Sequence, residues 1–146
     1  MIQDECMIFV TYPGRVEEVA VGEFLVTFPD VPQAITGGTT RQEALAQAAD
    51  ALAVAIEGIF LEGAPLPPRR PAGRNEVDIP LSPSIAARVL LADEMQRQSL
   101  TGRALGKRWH KDEKTVRRVL SGKGASLDLT LQALQVLGVR PALALP

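Results

Sequence analysis

The eleven residues Ala64 to Arg74, APLPPRRPAGR, contain four prolines. Each proline fixes φ near about −65° and removes a backbone donor, so this stretch can be neither a helix interior nor a central strand. It must run extended, as a linker or as a stiff strap along the surface. The charge on either side of it differs sharply. Residues 1–63 hold ten carboxylates against two guanidinium groups, Arg15 and Arg41, a net charge of −8; residues 81–146 hold eleven bases against five acids, a net charge of +6. The overall charge of −1 therefore conceals a polarised molecule. Its 146 residues are enough for two small domains, each with a core.

Upstream of the strap the pattern is β-rich. Cys6 to Tyr12 (CMIFVTY) reads as a strand ended by the turn dipeptide Pro13-Gly14, and Val19 to Phe28 (VAVGEFLVTF) as a second strand closed by Pro29-Asp30-Val31-Pro32. Gln33 to Thr36 makes a short third strand before a chain reversal at Gly37-Gly38. Thr40-Arg41-Gln42-Glu43 then has the capping-box arrangement that opens a helix. Leu45, Ala48, Leu52, Ile56, Ile59 and Phe60 give this helix one apolar stripe to lay over a sheet, and Gly63 ends it. Asp50 and Glu57 interrupt the most hydrophobic run, which argues against a membrane span. Beyond the strap, Val77 to Leu81 (VDIPL) alternates like an edge strand.

Downstream, Ser82-Pro83 opens a helix running to about Gln98, with Ile85, Val89 and Ala92 on its buried side. The window Leu100 to Lys123 (LTGRALGKRWHKDEKTVRRVLSGK) has eight bases and two acids, net +6. It reads as two short helices joined by the turn Trp109-His110-Lys111-Asp112, with Asp112 capping the second. On a helix from Glu113 to Ser121, Val116, Val119 and Leu120 share one face, which packs against Leu105 and Trp109. Glu113, Lys114, Arg117, Arg118 and Ser121 share the other, where bases can meet guanine edges and phosphates. Ser126 caps a last helix with Leu127, Leu131, Leu134 and Leu137 at helical spacing, ended by Gly138. The apolar tail Val139 to Leu145 either packs as a terminus or pairs across a dimer axis.

Residues 82–145 resemble helix-turn-helix domains of phage-repressor type, through Leu105-Gly106, Thr115-Val116, Leu120-Ser121-Gly122-Lys123 and the closing helix Leu127 to Gly138. That resemblance implies that Glu113, Lys114 and Arg118 face bases with Arg117 beside them, and that Lys111, Thr115 and Lys123 contact the DNA backbone. Trp109 and His110 depart from the pattern, His110 standing where a turn glycine is customary. Residues 7–81 resemble the HicB antitoxins, through Phe24-Leu25-Val26-Thr27-Phe28-Pro29-Asp30-Val31-Pro32, Gly37-Gly38-Thr39-Thr40, the Glu43-Ala44-Leu45 helix start and Pro67-Pro68. This implies a partial RNase H-like fold, a small basic HicA-like mRNA-cleaving toxin as partner, and repression of the shared operon. An acidic half suits a basic partner on electrostatic grounds alone.

The expected fold class is α+β: a β-β-β-α-β domain over residues 1–81, including the strap at 64–74, then an all-α DNA-binding and dimerising domain over 82–146. Two other functions are open. An RNase H-like nuclease needs carboxylates clustered around metal ions, yet Asp4, Glu5, Asp30, Asp50 and Glu57 form no such pattern. A ligand-responsive repressor would need a pocket chemistry that no motif supplies. His110, the only histidine, has no acid–base partner, and Cys6, the only cysteine, has no neighbouring base, so neither marks catalysis. Zinc lacks ligands, and no cofactor is implied. One cysteine and no basic N-terminal leader fit the cytoplasm. The expectation is a non-enzymatic antitoxin that binds a HicA-like toxin and, as a homodimer or higher homo-oligomer, double-stranded operator DNA. The toxin-contact residues cannot be read from sequence.

Overall fold

The computed structural model describes residues 10–123 and 125–140. Cys6, Asp4, Glu5 and most of the Val139 to Leu145 tail lie outside them. Among the described residues the architecture is mixed α+β: four strands in one antiparallel sheet, and five helices. It forms two compact units, Met1–Leu52 with Pro67–Leu81, and Ala53–Leu66 with Ser82–Pro146.

The first unit holds β1 (Thr11–Ala20), β2 (Glu23–Thr27), β3 (Ile35–Gly38), β4 (Val77–Pro80) and the first half of α1 (Arg41–Glu62). The strand order is β3-β2-β1-β4. Pro13-Gly14 is not a turn; β1 runs straight through it, with Pro13 opposite Asp78 and Gly14 opposite Val77. A proline is tolerated there because this half of β1 pairs only with β4 and needs no donor toward β2, whose ladder begins at Arg15↔Thr27. The hairpin instead turns at Val21-Gly22, inside the run read as one strand, where Gly22 has φ +74°. Gly37-Gly38 does not reverse the chain either. Both glycines lie in β3, where a Cβ on Gly37 would sit 2.5 Å from the Phe24 carbonyl oxygen and one on Gly38 2.7 Å from the Ala44 nitrogen.

Helix α1 opens as its sequence predicts, with the Glu43 amide donating to Thr40 Oγ1 (3.1 Å), and the Glu43 carboxylate accepts from the Thr39 hydroxyl (2.7 Å). Its buried positions are Ala44, Ala48, Leu52, Ile56 and Ile59. The first three join Tyr12, Val26, Phe28 and Val31 as fully or almost fully buried residues of the sheet unit. The end is a Schellman cap: the Gly63 amide donates to the Phe60 carbonyl and the Ala64 amide to that of Ile59, both at 3.1 Å. By length and composition alone α1 could cross a membrane, at a mean hydropathy of 1.6, because Asp50 and Glu57 are outweighed by alanine, isoleucine and leucine. The strap forms neither helix nor strand and from Pro67 onward is tied to the sheet unit. Tyr12 donates its hydroxyl to the Pro67 carbonyl (2.8 Å), and Arg70 holds Glu76 through two bonds (2.7 and 2.9 Å) and Asp30 at 3.0 Å.

The second unit is the end of α1 with α2 (Pro83–Arg97), α3 (Gly102–Trp109), α4 (Glu113–Ser121) and α5 (Leu127–Val136). Its core is Ala87, Leu91, Met95, Leu105, Trp109, Val116, Val119, Ala133, Leu134 and Leu137. On α5 the buried face is Thr130, Ala133 and Leu134, while Leu127 stays exposed and Leu131 half-buried, one step round the helix from the leucine stripe read in the sequence. The Thr130 hydroxyl satisfies itself locally by donating to the Ser126 carbonyl (3.2 Å).

Candidate nucleic-acid interface

Each helix of the basic window carries its own start signal. Thr101 Oγ1 accepts from the Ala104 amide (3.1 Å) to cap α3, and Asp112 Oδ1 accepts from the Thr115 amide (2.8 Å) to cap α4. The Thr115 hydrogen bonds, helped by the charges of Lys114 and Lys111, hold the Asp112 carboxyl below its ordinary range. Between the helices, His110 takes the left-handed conformation, φ 57° and ψ 37°. A glycine would do this without strain; histidine is among the residues that tolerate it. The Lys111 amide then donates to the Gly106 carbonyl (3.1 Å), closing the turn. Trp109, bulky for such a position, points into the core and is 9% exposed.

The two faces of α4 separate as the spacing predicts. Val116 and Val119 are buried with Leu105 and Trp109, and Leu120 packs partly against them. Lys111, Glu113, Lys114, Arg117, Arg118 and Lys123 are exposed, and Thr115 is half-buried. Glu113 and Arg117 are paired along the helix (2.7 Å) with both side chains in solvent, an interaction cheap to give up for an external partner. Arg103 and Lys107 of α3, not singled out from the sequence, face the same side as Lys111 and Arg117. Together with Phe60 and Leu120 they line a groove of about 950 Å³. Their four-residue spacing, 103, 107, 111, was the available signal.

Behind α4 lies a residue that the sequence does not announce. Arg88 of α2 is 8% exposed, its guanidinium 4.7 Å from the centre of the Phe60 ring. Burial lowers its pKa, and the charge of Glu57 partly opposes that. Its Nε has no hydrogen-bond partner. The guanidinium lies where a Cβ on Gly122 would be, 1.7 Å from the nearest nitrogen, and Gly122 is also the α4 C-cap at φ +74°. Arg108 reaches Gln98 (3.0 Å), whose amide nitrogen donates to the Leu137 carbonyl (3.0 Å), so α2, α3 and the end of α5 are joined by one polar chain. Among the described residues no three His, Cys, Asp or Glu side chains converge on a metal-sized site. Asp30 is engaged by Arg70.

The sheet unit thus presents exposed carboxylates and the helical unit exposed bases on α4. The family model described as "HicB_like antitoxin of bacterial toxin-antitoxin system" matches residues 11–90. The chain belongs to this HicB-like antitoxin family. It is 39% identical to antitoxin HicB 1 of Photorhabdus laumondii over 108 residues, 74% of this chain and 68% of the relative. It is 35% identical to antitoxin HicB 2 of the same organism, over 87% of this chain and 90% of the relative. Against antitoxin HicB of Escherichia coli the identity is 29%, over 87% and 93%.

Proposed function

We propose that this chain is the antitoxin of a type II toxin–antitoxin pair that neutralises a small basic HicA-like mRNA-cleaving toxin through its sheet unit and represses its own operon through its helical unit. The sheet unit is read as a partial RNase H-like fold and α2 to α5 as a phage-repressor-type helix-turn-helix domain acting in a cytoplasmic homodimer. The observation that carries the DNA reading is the division of α4. Its apolar face is locked into the core, and Lys114 and Arg118 stand exposed on the opposite face. A short helix so held can be presented rigidly to a major groove. In this reading Glu113, Lys114 and Arg118 meet base edges, with Arg117 beside them, and Lys111, Thr115 and Lys123 position the phosphate backbone. The exposed Leu127 at the start of α5 is available to a second copy.

The experiment is an operator shift with promoter DNA of the chain's own operon. Lys114→Ala with Arg118→Ala abolishes the shift and leaves toxin binding intact. Lys111→Ala with Lys123→Ala weakens binding to every sequence and lowers the salt slope by about two for each protomer of the dimer. Footprinted half-sites stand about 34 Å apart or a multiple of it. A first variant that binds operator like the parent overturns the assignment of α4.

A further inference from the structure

The carboxylates of the sheet unit are unevenly occupied. Asp30 and Glu76 are held by Arg70, Asp78 accepts from the Ala72 amide (3.0 Å), and Glu43 sits in the first turn of α1 with Thr39. Among the described residues, apart from Asp50 on α1, what is left is Glu17, Glu18 and Glu23. All three are exposed at the end of the β1–β2 hairpin, and among the described residues none enters a hydrogen bond or ion pair.

The backbone of the same stretch is half-used. Strand β4 pairs with β1 only from Thr11 to Gly14, and β2 pairs with it only from Arg15 to Ala20. Beyond Gly14, therefore, among the described residues β1 has a ladder on one side and an open edge on the other. Two valines stand out of the surface here, Val19 at 56% and Val21 at 99% exposure. The register shift between Glu18 and Ala20 leaves Val19 as the extra residue of a bulge. An open edge is normally defended by charge against pairing with a second copy. Three carboxylates of one sign do that, and the same charges favour an edge of opposite sign.

We infer that the β1 edge from Arg15 to Ala20, with the Val21 tip and Glu23, is where the toxin docks, by laying an extended Lys- and Arg-bearing segment along β1. This rests on the antitoxin reading and gives it a surface. Main-chain bonds to the open edge supply the alignment, the carboxylates receive the cations, and Val19 and Val21 are covered.

The test uses the full chain and the small basic protein encoded beside it. Hydrogen exchange of the wild-type complex slows at the amides of residues 15–23. Replacing Glu17, Glu18 and Glu23 together (Glu17→Lys, Glu18→Lys, Glu23→Lys) weakens toxin binding by about 100-fold, and Asp50→Lys, an exposed carboxylate on α1, leaves it within about twofold. Equal affinity of the triple variant and the parent, or protection confined to other residues, overturns this surface and leaves the antitoxin reading standing. Failure of the wild-type chain to bind that protein overturns the antitoxin reading as well. A triple variant that changes the oligomeric state of the chain alone overturns the proposal in favour of an interface between copies. Should the variant not fold, the wild-type exchange pattern alone decides.

Discussion

The sheet unit and the helical unit use charge in opposite ways. In the sheet unit a single guanidinium, Arg70, ties the turn after β2 to the turn before β4, through Asp30 and Glu76, and so fixes the proline strap. In the helical unit an apolar cluster of ten buried residues is the main tie, with the polar chain through Gln98 beside it. The bases stay outside, except Arg88. One unit is therefore sensitive to the loss of a charge and the other to the loss of volume. A surface meant for a charged partner is best carried by a unit whose stability does not depend on those charges.

The largest effect expected from this contrast is in the helical core. Leu105 is wholly buried, so Leu105→Ala leaves a cavity and costs about 2–5 kcal/mol. The fluorescence of Trp109, the only tryptophan, reports the transition in denaturant. An equal loss in the sheet unit, followed at Tyr12, would break the contrast by showing one cooperative unit.

Next come the C-terminal caps of α3 and α4, both left-handed, one filled by histidine (His110) and the other by glycine (Gly122). Gly122→Ala incurs about 1–2 kcal/mol of backbone strain and also displaces Arg88. In an Arg88→Met background the second penalty disappears, so the two changes are non-additive. His110→Gly goes the other way, raising stability by up to about 1 kcal/mol, less what glycine loses in chain entropy. Thermal melts of the four proteins sharpen the comparison. Additive values would show that Gly122 is required for its φ alone.

Smaller again is Tyr12→Phe, which removes the hydroxyl donor to Pro67 and costs about 1 kcal/mol, read in the sheet transition only.

The sequence announced elements whose evidence is local. Thr40, Asp112 and Ser126 cap their helices because capping needs only neighbouring residues, and the alternation of Val116 and Val119 with charged residues is a one-helix property. It misplaced whatever depends on a distant strand. Pro13-Gly14 looks like a turn until β4 is known to lie beside it, and Gly22 looks like a strand interior until Glu23 is seen opposite Ala20. Gly37 and Gly38 are explained by Phe24 and Ala44, not by their own conformational freedom. Of the candidate interface, the exposed bases of α4 were legible from spacing. Arg88 was not, since only the fold puts it beside Gly122.

The smallest expected effect is the one with acid, and it separates the units by cause. The Arg70 side chain, followed by the Gly73 amide (2.7 Å), holds the Glu76 carboxyl down to about 2 from an ordinary 4.5. A carboxyl depressed in the folded state stabilises fully above its unfolded pKa, and that contribution is lost as the pH falls from 4.5 through about 2. Asp112 is depressed as well, by Thr115, so the cap of α4 weakens below its ordinary 3.8. Both units therefore loosen in the same acid range, but for different reasons. Arg70→Gln removes the cause in one alone: Glu76 returns toward 4.5, and the acid dependence of the sheet unit shrinks. The acid response of Trp109 stays as in the parent. Carboxyl chemical shifts against pH decide it. A wild-type Glu76 that titrates at 4.5 would show that Arg70 does not hold the strap in solution, and the charge-dependent half of the contrast would fall.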